Sequence, residues 1–510
     1  MPRQRPSHPV LSSRVAAAEE GADYSGLRVN YRGAFHARRR QPTLAELQPH
    51  TLFLGATGCG KTTAVKLHMR SVLPIEDERF SMRFRSLIYD PKSDMLPYLG
   101  DIGFDPDTSV ILTNPFDKRS ACWDIAADVS TDADARSFAE VVVHDHPGQE
   151  FWQTSAKDIV TSTISGLNQR SPGAWDLRDL VLVIDTPALL AQVLKRTAHG
   201  KGVLRDYINT DKRLSGSIRA TVRSNLEPYR LIAALWDHAH YSFSFSKWST
   251  GAGCILIGDH YKYHRAMKRV NNLLVRYAID SVMDRPGEEH RDLTWLYLDE
   301  LKNAGRFPNF GTMLTQGRSK GIRAVLAAQG LSTLQATFPE AQEKEVVNNC
   351  GNKCIMQLGS DEDASWAERL FSTTERERIS HTIPDDPADR RRSSKTFTHQ
   401  RESLLEAKTF LTMPSANTHG RAIAAYYHEP GGVFSQTTVP GEEVIASLGA
   451  NEESGIEPYS PRPPEQVTLR EFDDRDLRHL GLTLVPDDEQ AVDDGHPSET
   501  GFRMPPPVAQ

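Results

Sequence analysis

The sequence predicts an α/β protein with a doubly wound, mostly parallel sheet and an all-helical insert. Apolar runs of four to eight residues alternate with helical segments from Thr51 onward, which is typical of parallel strands covered by helices. From Asp124 to about Trp248 only helical periodicity is present, which indicates an all-α domain inserted into the sheet domain. Strand patterns resume at 253–259 and continue to 352–359.

The first strand leads into a phosphate-binding loop. The stretch "TLFLGA" reads as a buried strand, and "GATGCGKTT" after it matches the pattern of such a loop, with a helix following. Glycines let backbone N–H groups surround phosphates, Lys61 can bridge the β and γ phosphates, and Thr62 can bind Mg²⁺. Cys59 suggests either a redox switch or a tolerated small residue. The predicted nucleotide contacts are Gly55, Ala56, Thr57, Gly58, Cys59, Gly60, Lys61, Thr62 and Thr63.

Composition changes at both ends of the chain. Residues 1–40 hold eight arginines against three acidic residues, and residues 431–510 hold 16 acidic residues, five arginines and ten prolines. The latter composition predicts a largely disordered tail with one short helix at 468–482. The predicted order is a basic arm at 1–50, a nucleotide-binding domain at 51–123, an all-α insert at 124–248, the second part of the nucleotide-binding domain at 249–430, and the acidic tail at 431–510.

Several classes of protein are excluded by sequence pattern. No stretch approaches the ~18 apolar residues of a membrane span, and the N-terminus lacks the apolar segment of a secretion signal. No cysteine and histidine spacing matches a zinc site. We therefore expect a cytoplasmic protein with reduced thiols at Cys59, Cys122, Cys254, Cys350 and Cys354.

An acidic pair closes the strand "TWLYLDE". Asp299 can hold the metal and Glu300 can polarise an attacking water, although an acid pair after a strand can also cap a helix. The distance of 238 residues between Lys61 and Asp299 leaves room for the helical insert.

Two further polar residues follow this pair in sequence. Gln329 ends the next strand, and because carboxyl ends of parallel strands line the ligand crevice, it can contact the γ-phosphate. Arg318 lies in the turn "QGRSKG" and can reach a neighbouring subunit's nucleotide. The alternatives are a polar strand end for Gln329 and a surface arginine for Arg318.

The predicted helix at 262–283 has one basic and one apolar face. Arg265, Arg269 and Arg276 lie on the basic face, and Met267, Val270 and Leu274 lie on the apolar one. The basic face is either a contact to nucleic-acid phosphates or an ordinary solvated surface.

The chain resembles the coupling ATPases of type IV secretion and conjugation, which are similar to RecA-like hexameric DNA motors. The resemblance covers about 50–430 and rests on the order of "GATGCGKTT", "YDPKSD", "NPFD", "LYLDEL", "QGRSKGIRAVLAAQ" and "NNCGNKCIMQLG". It implies a RecA-like fold, DNA-stimulated ATP hydrolysis with Mg²⁺, Arg318 as a finger in trans, and Gln329 as the coupling residue. The family often has glycine where Ser93 stands here.

The resemblance also implies the partners of the protein. They are single-stranded DNA bound without sequence preference, secretion-channel and relaxosome proteins, and five further copies in a homo-hexamer. Members of the family usually carry N-terminal membrane helices, whereas the residues before Gly55 contain no span, so we expect recruitment to the inner face of the membrane by a partner. Two alternatives stay open: a nucleotide-gated adaptor for protein substrates, and a soluble DNA motor for packaging or defence.

Overall fold

The computed structural model describes residues 49–73, 85–285, 293–301, 310–371, 373–382, 394–415, 422–429, 433–439 and 455–484. Of the predicted basic arm only Pro49 and His50 are among them, so the arm lies otherwise outside the described residues. The chain forms two compact units. Among the described residues, one unit contains those within 49–128 and 226–469, and the other contains those within 129–225 and 470–484.

The first unit is built on a nine-stranded sheet, so we call it the sheet unit. In chain order its strands are β1 (Thr51–Leu54), β2 (Arg85–Asp90), β3 (Val110–Leu112), β4 (Cys122–Trp123), β5 (Ser242–Phe243), β6 (Gly253–Gly258), β7 (Thr294–Leu298), β8 (Ile322–Ala328), β9 (Asn352–Ile355), β10 (Thr373–Thr382), β11 (Ser394–Ser403), β12 (Ile423–Glu429) and β13 (Val433–Val439).

The order of the large sheet is β13-β12-β9-β1-β8-β7-β2-β6-β3. The seven strands from β9 to β3 are parallel, while β12 pairs antiparallel with β9 and with β13. The predicted mostly parallel sheet is therefore confirmed. Two small ladders accompany it, β10 with β11 and β4 with β5.

The helices of the sheet unit are α1 (Lys61–Val72), α2 (Met95–Asp101), α3 (Ile125–Asp128), α10 (Phe245–Thr250), α11 (His264–Met283), α12 (Phe310–Gln316), α13 (Leu331–Thr337), α14 (Glu340–Asn349), α15 (Asp361–Leu370) and α16 (Ala407–Leu411). In the second, helical unit lie α4 (Asp132–Val142), α5 (Glu150–Arg170), α6 (Leu177–Asp185), α7 (Pro187–Leu194), α8 (Ala198–Val203) and α17 (Asp474–Leu480). Helix α9 (Lys212–Asp237) starts in the helical unit and ends in the sheet unit.

One face of the large sheet packs against α1 and α2. Alternate residues of the strands face this core, including Phe53, Ile88, Trp295 and Tyr297. His68 of α1 is buried among them, and its Nδ1 lies 3.1 Å from the hydroxyl of Tyr297. This packing fixes α1 on β7 as well as on its own strand, which positions the loop before α1 against the end of β7.

No helix within the described residues combines the length and apolar character that a membrane span needs.

Two predicted boundaries need correction. β13 lies inside the predicted acidic tail but pairs with β12 at the edge of the large sheet. The inserted segment of the helical unit ends at Asn225, whereas the predicted insert extended to 248. The difference arises because the second half of α9 and helix α10 pack within the sheet unit. Helical periodicity alone does not reveal which unit a helix packs against.

The predicted disorder of 431–510 is wrong for residues 455–484. Residues 455–469 pack in the sheet unit, where the N–H of Ser460 donates to Asp117 and the hydroxyl of Tyr459 donates to the carbonyl of Phe116. Residues 470–484 pack in the helical unit and include the predicted short helix as α17. Leu477, Leu480 and Leu482 are buried there and supply the apolar surface that stabilises the segment. The average composition of 431–510 does not reveal these three leucines.

A buried ion pair joins α17 to α6 within the helical unit. Nη2 of Arg178 lies 3.0 Å from Oδ2 of Asp476, and both side chains are 1% exposed. The same guanidinium donates to the carbonyls of Arg470 and Glu471. Asp476 also accepts the N–H of Asp473 in the capping box that starts α17. Arg178 therefore holds the C-terminal segment by three acceptors.

We predict that Asp476→Ala lowers the free energy of unfolding of the helical unit by about 3 to 5 kcal/mol, because the buried guanidinium of Arg178 loses the carboxylate 3.0 Å away and keeps only that of Asp179 at 3.8 Å. Hydrogen exchange of amides in α6 and 470–484 measures the loss of protection. Asp474→Ala is the matched control, because Asp474 is an exposed acid in the first turn of the same helix. Equal protection in both variants would contradict the prediction.

Candidate nucleotide-binding site

The loop between β1 and α1 requires glycine where it enters the helix. Gly60 caps α1 with a φ of 103°, and Gly58 has a φ of 81°. Both values lie in the left-handed region that residues with a Cβ atom disfavour. A Cβ atom on Gly60 would also lie 2.8 Å from Cδ1 of Ile423 on β12. The glycine pattern of the loop thus has a backbone cause and a packing cause.

Three loop residues face the protein interior. Sγ of Cys59 lies 4.0 Å from Sδ of Met356, and a Cβ atom on Gly55 would lie 2.6 Å from that Sγ. The N–H of Ala56 donates to the carbonyl of Gln357 at 2.6 Å. The thiol of Cys59 packs under the loop, and this burial raises its pKa. A thiol with a raised pKa forms little thiolate, so Cys59 is a poor candidate for a redox switch.

A cavity of about 330 Å³ opens at the loop, on the carboxyl edge of the parallel strands. Six of the nine predicted nucleotide contacts line it, together with the predicted Asp299, Glu300 and Gln329. Gly55, Ala56 and Cys59 do not line it, and their predicted contacts with the nucleotide stay predictions. The full lining is Thr57, Gly58, Gly60, Lys61, Thr62, Thr63, Lys92, Asp299, Glu300, Leu301, Ala327, Ala328, Gln329 and Thr333.

Lys61 and Thr62 begin α1 on the floor of this cavity. Nζ of Lys61 donates to the carbonyls of Gly55 at 2.6 Å and of Ala56 at 2.9 Å. These bonds hold the ammonium above the loop. The hydroxyl of Thr62 donates to Oδ2 of Asp299 at 2.7 Å. The two predicted metal ligands, 237 residues apart in sequence, are therefore in direct contact.

The environment of Asp299 fits a hard cation. Burial raises the pKa of its carboxyl group, whereas the hydrogen bond from Thr62 and the charge of Lys92 oppose that shift. In the part of the chain that the structure describes, its buried Oδ1 has no hydrogen-bond donor. A buried carboxylate oxygen without a donor is costly unless a cation binds it. Asp299 and the Thr62 hydroxyl offer the oxygen ligands that Mg²⁺ prefers.

Glu300 and Gln329 come from neighbouring strand ends. Glu300 follows Asp299 after β7 and is half-buried at the cavity, and Gln329 follows β8 and is exposed into it. β7 and β8 are adjacent and parallel, with Leu298 beside Leu326, so their ends reach the same edge. This arrangement brings a carboxylate and an amide to one side of the loop.

Lys92 is a cavity residue to which the sequence analysis gave no role. It follows β2 in the segment "YDPKSD", whose start is held by Asp90. Oδ1 of Asp90 accepts the N–H groups of Lys92 and Asp94, and Oδ2 accepts that of Met95. Burial, and then the charge of Asp94, raises the pKa of Asp90 to about 6. The signal that could have found Lys92 is a polar turn directly after a buried strand.

The backbone at Ser93 is of the kind that favours the glycine implied at this position by the resemblance. Its φ is 57°, and among the described residues it alone combines a positive φ with a Cβ atom. A left-handed residue other than glycine costs roughly 1 to 2 kcal/mol. Serine therefore carries local strain in the turn that presents Lys92 to the cavity.

Arg318 lies at the other edge of the sheet. It belongs to the turn Gly317–Lys320 before β8, whereas Gln329 follows that strand. Seven strand residues at about 3.3 Å each separate the two by about 20 Å. Arg318 is exposed and does not line the cavity of its own chain.

The predicted basic face lies on α11, with unequal exposure. Arg265 is exposed and Arg269 is half-buried. Nε of Arg276 lies 3.2 Å from Oδ2 of Asp280, one turn along the helix, and its side chain is 15% exposed. Met267, Val270 and Leu274 are buried, as the apolar face required. Arg265 thus fits the hypothesis of a phosphate contact better than Arg276.

Comparisons with known proteins agree with this geometry. A family model described as the type IV secretion-system coupling protein DNA-binding domain matches residues 43–419. The coupling protein TraD of Escherichia coli K12 is 22% identical over 61% of this chain and 42% of its own length. Protein VirD4 of Rhizobium rhizogenes is 20% identical over 64% of this chain and 49% of its own. The chain thus spans about half the length of these relatives.

The fold is similar to that of the bacterial conjugative coupling protein TrwB. Its unbound form aligns with a TM-score of 0.62 at 18% identity, covering 88% of this chain and 93% of TrwB. The TrwB complex with ADP and Mg²⁺ aligns with a TM-score of 0.58 at 20% identity, covering 83% and 89% of the two chains. This likeness confirms the predicted RecA-like class. Because the family model covers most of the chain, this protein belongs to the type IV secretion-system coupling proteins.

Proposed function

We propose that this protein is a DNA-stimulated ATPase that drives single-stranded DNA, or a DNA–protein conjugate, into a secretion or conjugation channel. One observation carries the proposal of ATP hydrolysis. Lys61, Thr62, Asp299, Glu300 and Gln329 meet in a single cavity at the carboxyl edge of a parallel sheet. Such an edge is where open α/β sheets bind ligands.

Each residue has a role that its position supports. The ammonium of Lys61 binds the β and γ phosphates, and the Thr62 hydroxyl and the Asp299 carboxylate hold Mg²⁺. Bound Mg²⁺ supplies charge neutralisation of the phosphates. Glu300 orients and polarises the attacking water, and Gln329 contacts the γ-phosphate. TrwB has been solved with ADP and Mg²⁺ and with a non-hydrolysable ATP analogue, which supports the same ligands here.

The proposed assembly is a homo-hexamer in which Arg318 completes the site of a neighbour. Arg318 is exposed and about 20 Å along β8 from its own cavity, so it cannot contact a nucleotide bound there. An arginine supplied in trans stabilises the charge of phosphoryl transfer and is worth roughly 10³ to 10⁵ in rate.

The proposed partners follow from family membership. They are DNA without sequence preference, secretion-channel subunits and relaxosome proteins, and we propose that the protein works in the cytoplasm at the inner face of the membrane. The family model is described as a DNA-binding domain, which supports DNA as a substrate. DNA-stimulated hydrolysis distinguishes this function from a nucleotide-gated adaptor, and co-purification with channel subunits distinguishes it from a packaging or defence motor.

We predict that Lys61→Ala abolishes ATP hydrolysis, because the β and γ phosphates lose their main cationic contact. Steady-state phosphate release with and without DNA measures the effect. Lys195→Ala, at an exposed position after α7, is the matched control and keeps wild-type turnover. Unchanged hydrolysis in Lys61→Ala would mean that the loop is not the active site.

Glu300→Gln is expected to bind ATP with near wild-type affinity and to hydrolyse it at least 100-fold more slowly, because the amide keeps the shape but cannot act as a base. Equilibrium binding of a fluorescent ATP analogue and single-turnover hydrolysis separate the two effects. Loss of binding together with hydrolysis would instead identify Glu300 as a residue needed for the shape of the cavity.

The role of Arg318 in trans predicts complementation between two inactive variants. Arg318→Ala binds ATP and assembles but does not turn over. Mixed with Lys61→Ala, it forms interfaces in which an intact loop meets an intact Arg318, so hydrolysis returns. Mixing Lys61→Ala with Glu300→Gln is the control, because both changes damage a subunit's own site and the mixture stays inactive. If the first mixture is equally inactive at every ratio and with DNA present, Arg318 does not act in trans.

A further inference from the structure

The turn after β6 carries an aromatic ring that is fully exposed. Tyr261 begins the short helical turn Tyr261–Tyr263 and is 101% exposed. Elsewhere in the described residues, the most exposed large apolar side chain is Phe151, at 51%. A single exposed aromatic side chain is ordinary on a protein surface, so the case for a ligand depends on which residues lie beside it.

Exposed cations follow this ring in the sequence. Lys262, Arg265 and Lys268 are all exposed, and the last two lie one turn apart on α11. From His260 to Ile279 the chain contains no acidic residue. The preceding Asp259 is buried, and its Oδ2 lies 2.6 Å from Nδ1 of His264. The surface formed by Tyr261, Lys262, Arg265 and Lys268, which we call the tyrosine platform, is therefore aromatic and cationic.

The platform rests on a rigid support from the segment "NPFD". The ring of Phe116 stacks on Tyr263 with centroids 4.9 Å apart and an angle of 7°, and it contacts His260 at 4.3 Å. Nδ2 of Asn114 donates to the carbonyl of Asp259, and Oδ1 of Asn114 accepts the N–H of Phe116. In this turn His260 and Tyr263 pack against Phe116, whereas Tyr261 between them is left exposed.

We propose that the tyrosine platform binds single-stranded DNA by stacking a nucleobase on Tyr261 while Lys262 and Arg265 contact the flanking phosphates. This inference rests on the proposed DNA substrate and specifies how the strand is held. Bases of a single strand expose their faces to an aromatic ring, whereas bases of a duplex are already stacked on each other. Every base has such a face, so the contact is independent of sequence.

The platform is also suitably located within the sheet unit. β6 is parallel to β2 and β7, so the turn lies at the same carboxyl edge as the nucleotide cavity. The hydroxyl of Tyr89 on β2 donates to Oδ2 of Asp259 at 3.2 Å, directly before the turn. Tyr89 in turn precedes Asp90, which holds the segment of Lys92. The hydrogen bond of Tyr89, its peptide link to Asp90 and the hydrogen bond that Asp90 accepts from Lys92 therefore connect the base of the platform with a lining residue of the cavity.

The test compares two labelled strands of equal length, an oligothymidine of about 20 nucleotides and its abasic counterpart, which has phosphates but no bases. Fluorescence anisotropy gives the affinity of the full-length protein for each. We expect Tyr261→Ala to bind the oligothymidine about tenfold more weakly and the abasic strand as wild type does, and Tyr261→Phe to keep both affinities. Phe151→Ala, a partly exposed aromatic on α5, is the control and retains both.

The cationic residues give a different signature. Lys262→Ala and Arg265→Ala are expected to weaken both strands similarly and to reduce the salt dependence of binding, because each removes one phosphate contact. The inference is overturned if Tyr261→Ala binds both strands like wild type, or weakens both equally. It is also overturned if light scattering shows that Tyr261→Ala changes only the oligomeric state. If the wild-type protein hydrolyses ATP but binds neither strand, the proposed DNA substrate fails as well.

Discussion

The hydrogen bond between Thr62 and Asp299 is the constraint on which the nucleotide site depends. It joins the first residues of α1 to the end of β7, across the intervening strand β8. Packing of α1 against β7 through His68 and Tyr297 makes the contact possible. Both side chains offer oxygen atoms, so the bond keeps together the two groups that would hold Mg²⁺ and its charge-neutralising chemistry at the phosphates. Glu300 after β7 and Gln329 after β8 reach the same cavity from these two neighbouring strands.

The same edge of the sheet supports a second polar layer beside the cavity. Asp90 at the end of β2 and Asp259 directly after β6 are both buried carboxylates, and each accepts hydrogen bonds from the turn that follows it. Buried carboxylates that accept several N–H groups fix local backbone geometry. In this protein they fix the turns that carry Lys92 and Tyr261. At this edge the acidic residues at strand ends therefore have two roles. Asp299 is placed to bind a ligand, whereas Asp90 and Asp259 bind backbone N–H groups.

Sequence patterns predicted what local chemistry determines. The loop, the acidic pair after β7 and Gln329 after β8 each follow a buried strand, and parallel pairing brought their ends together. Contacts between distant segments were not predictable. Nothing near Arg178 in sequence reveals Asp476, and an acidic, proline-rich composition conceals the leucines that bury α17. The exposure of Tyr261 could not be predicted either, because an aromatic residue in a sequence usually indicates a core position. In the structure, Phe116 packs on the neighbouring Tyr263, and Tyr261 is left outside the core.

The position of Arg318 limits what a single chain can do. Arg318 lies in the turn before β8, and the cavity lies beyond the end of that strand. Between them β8 is held by its ladder with β7 at Ile322–Leu326 and its ladder with β1 at Val325–Ala328. A role in phosphoryl transfer therefore requires a second copy whose opposite edge faces this cavity. Head-to-tail contact of this kind repeats the same interface at every subunit, and when the rotation closes it forms a ring. The trans role of Arg318 stays a prediction, and the length of β8 between this arginine and the cavity is the observation that favours it over a role in cis.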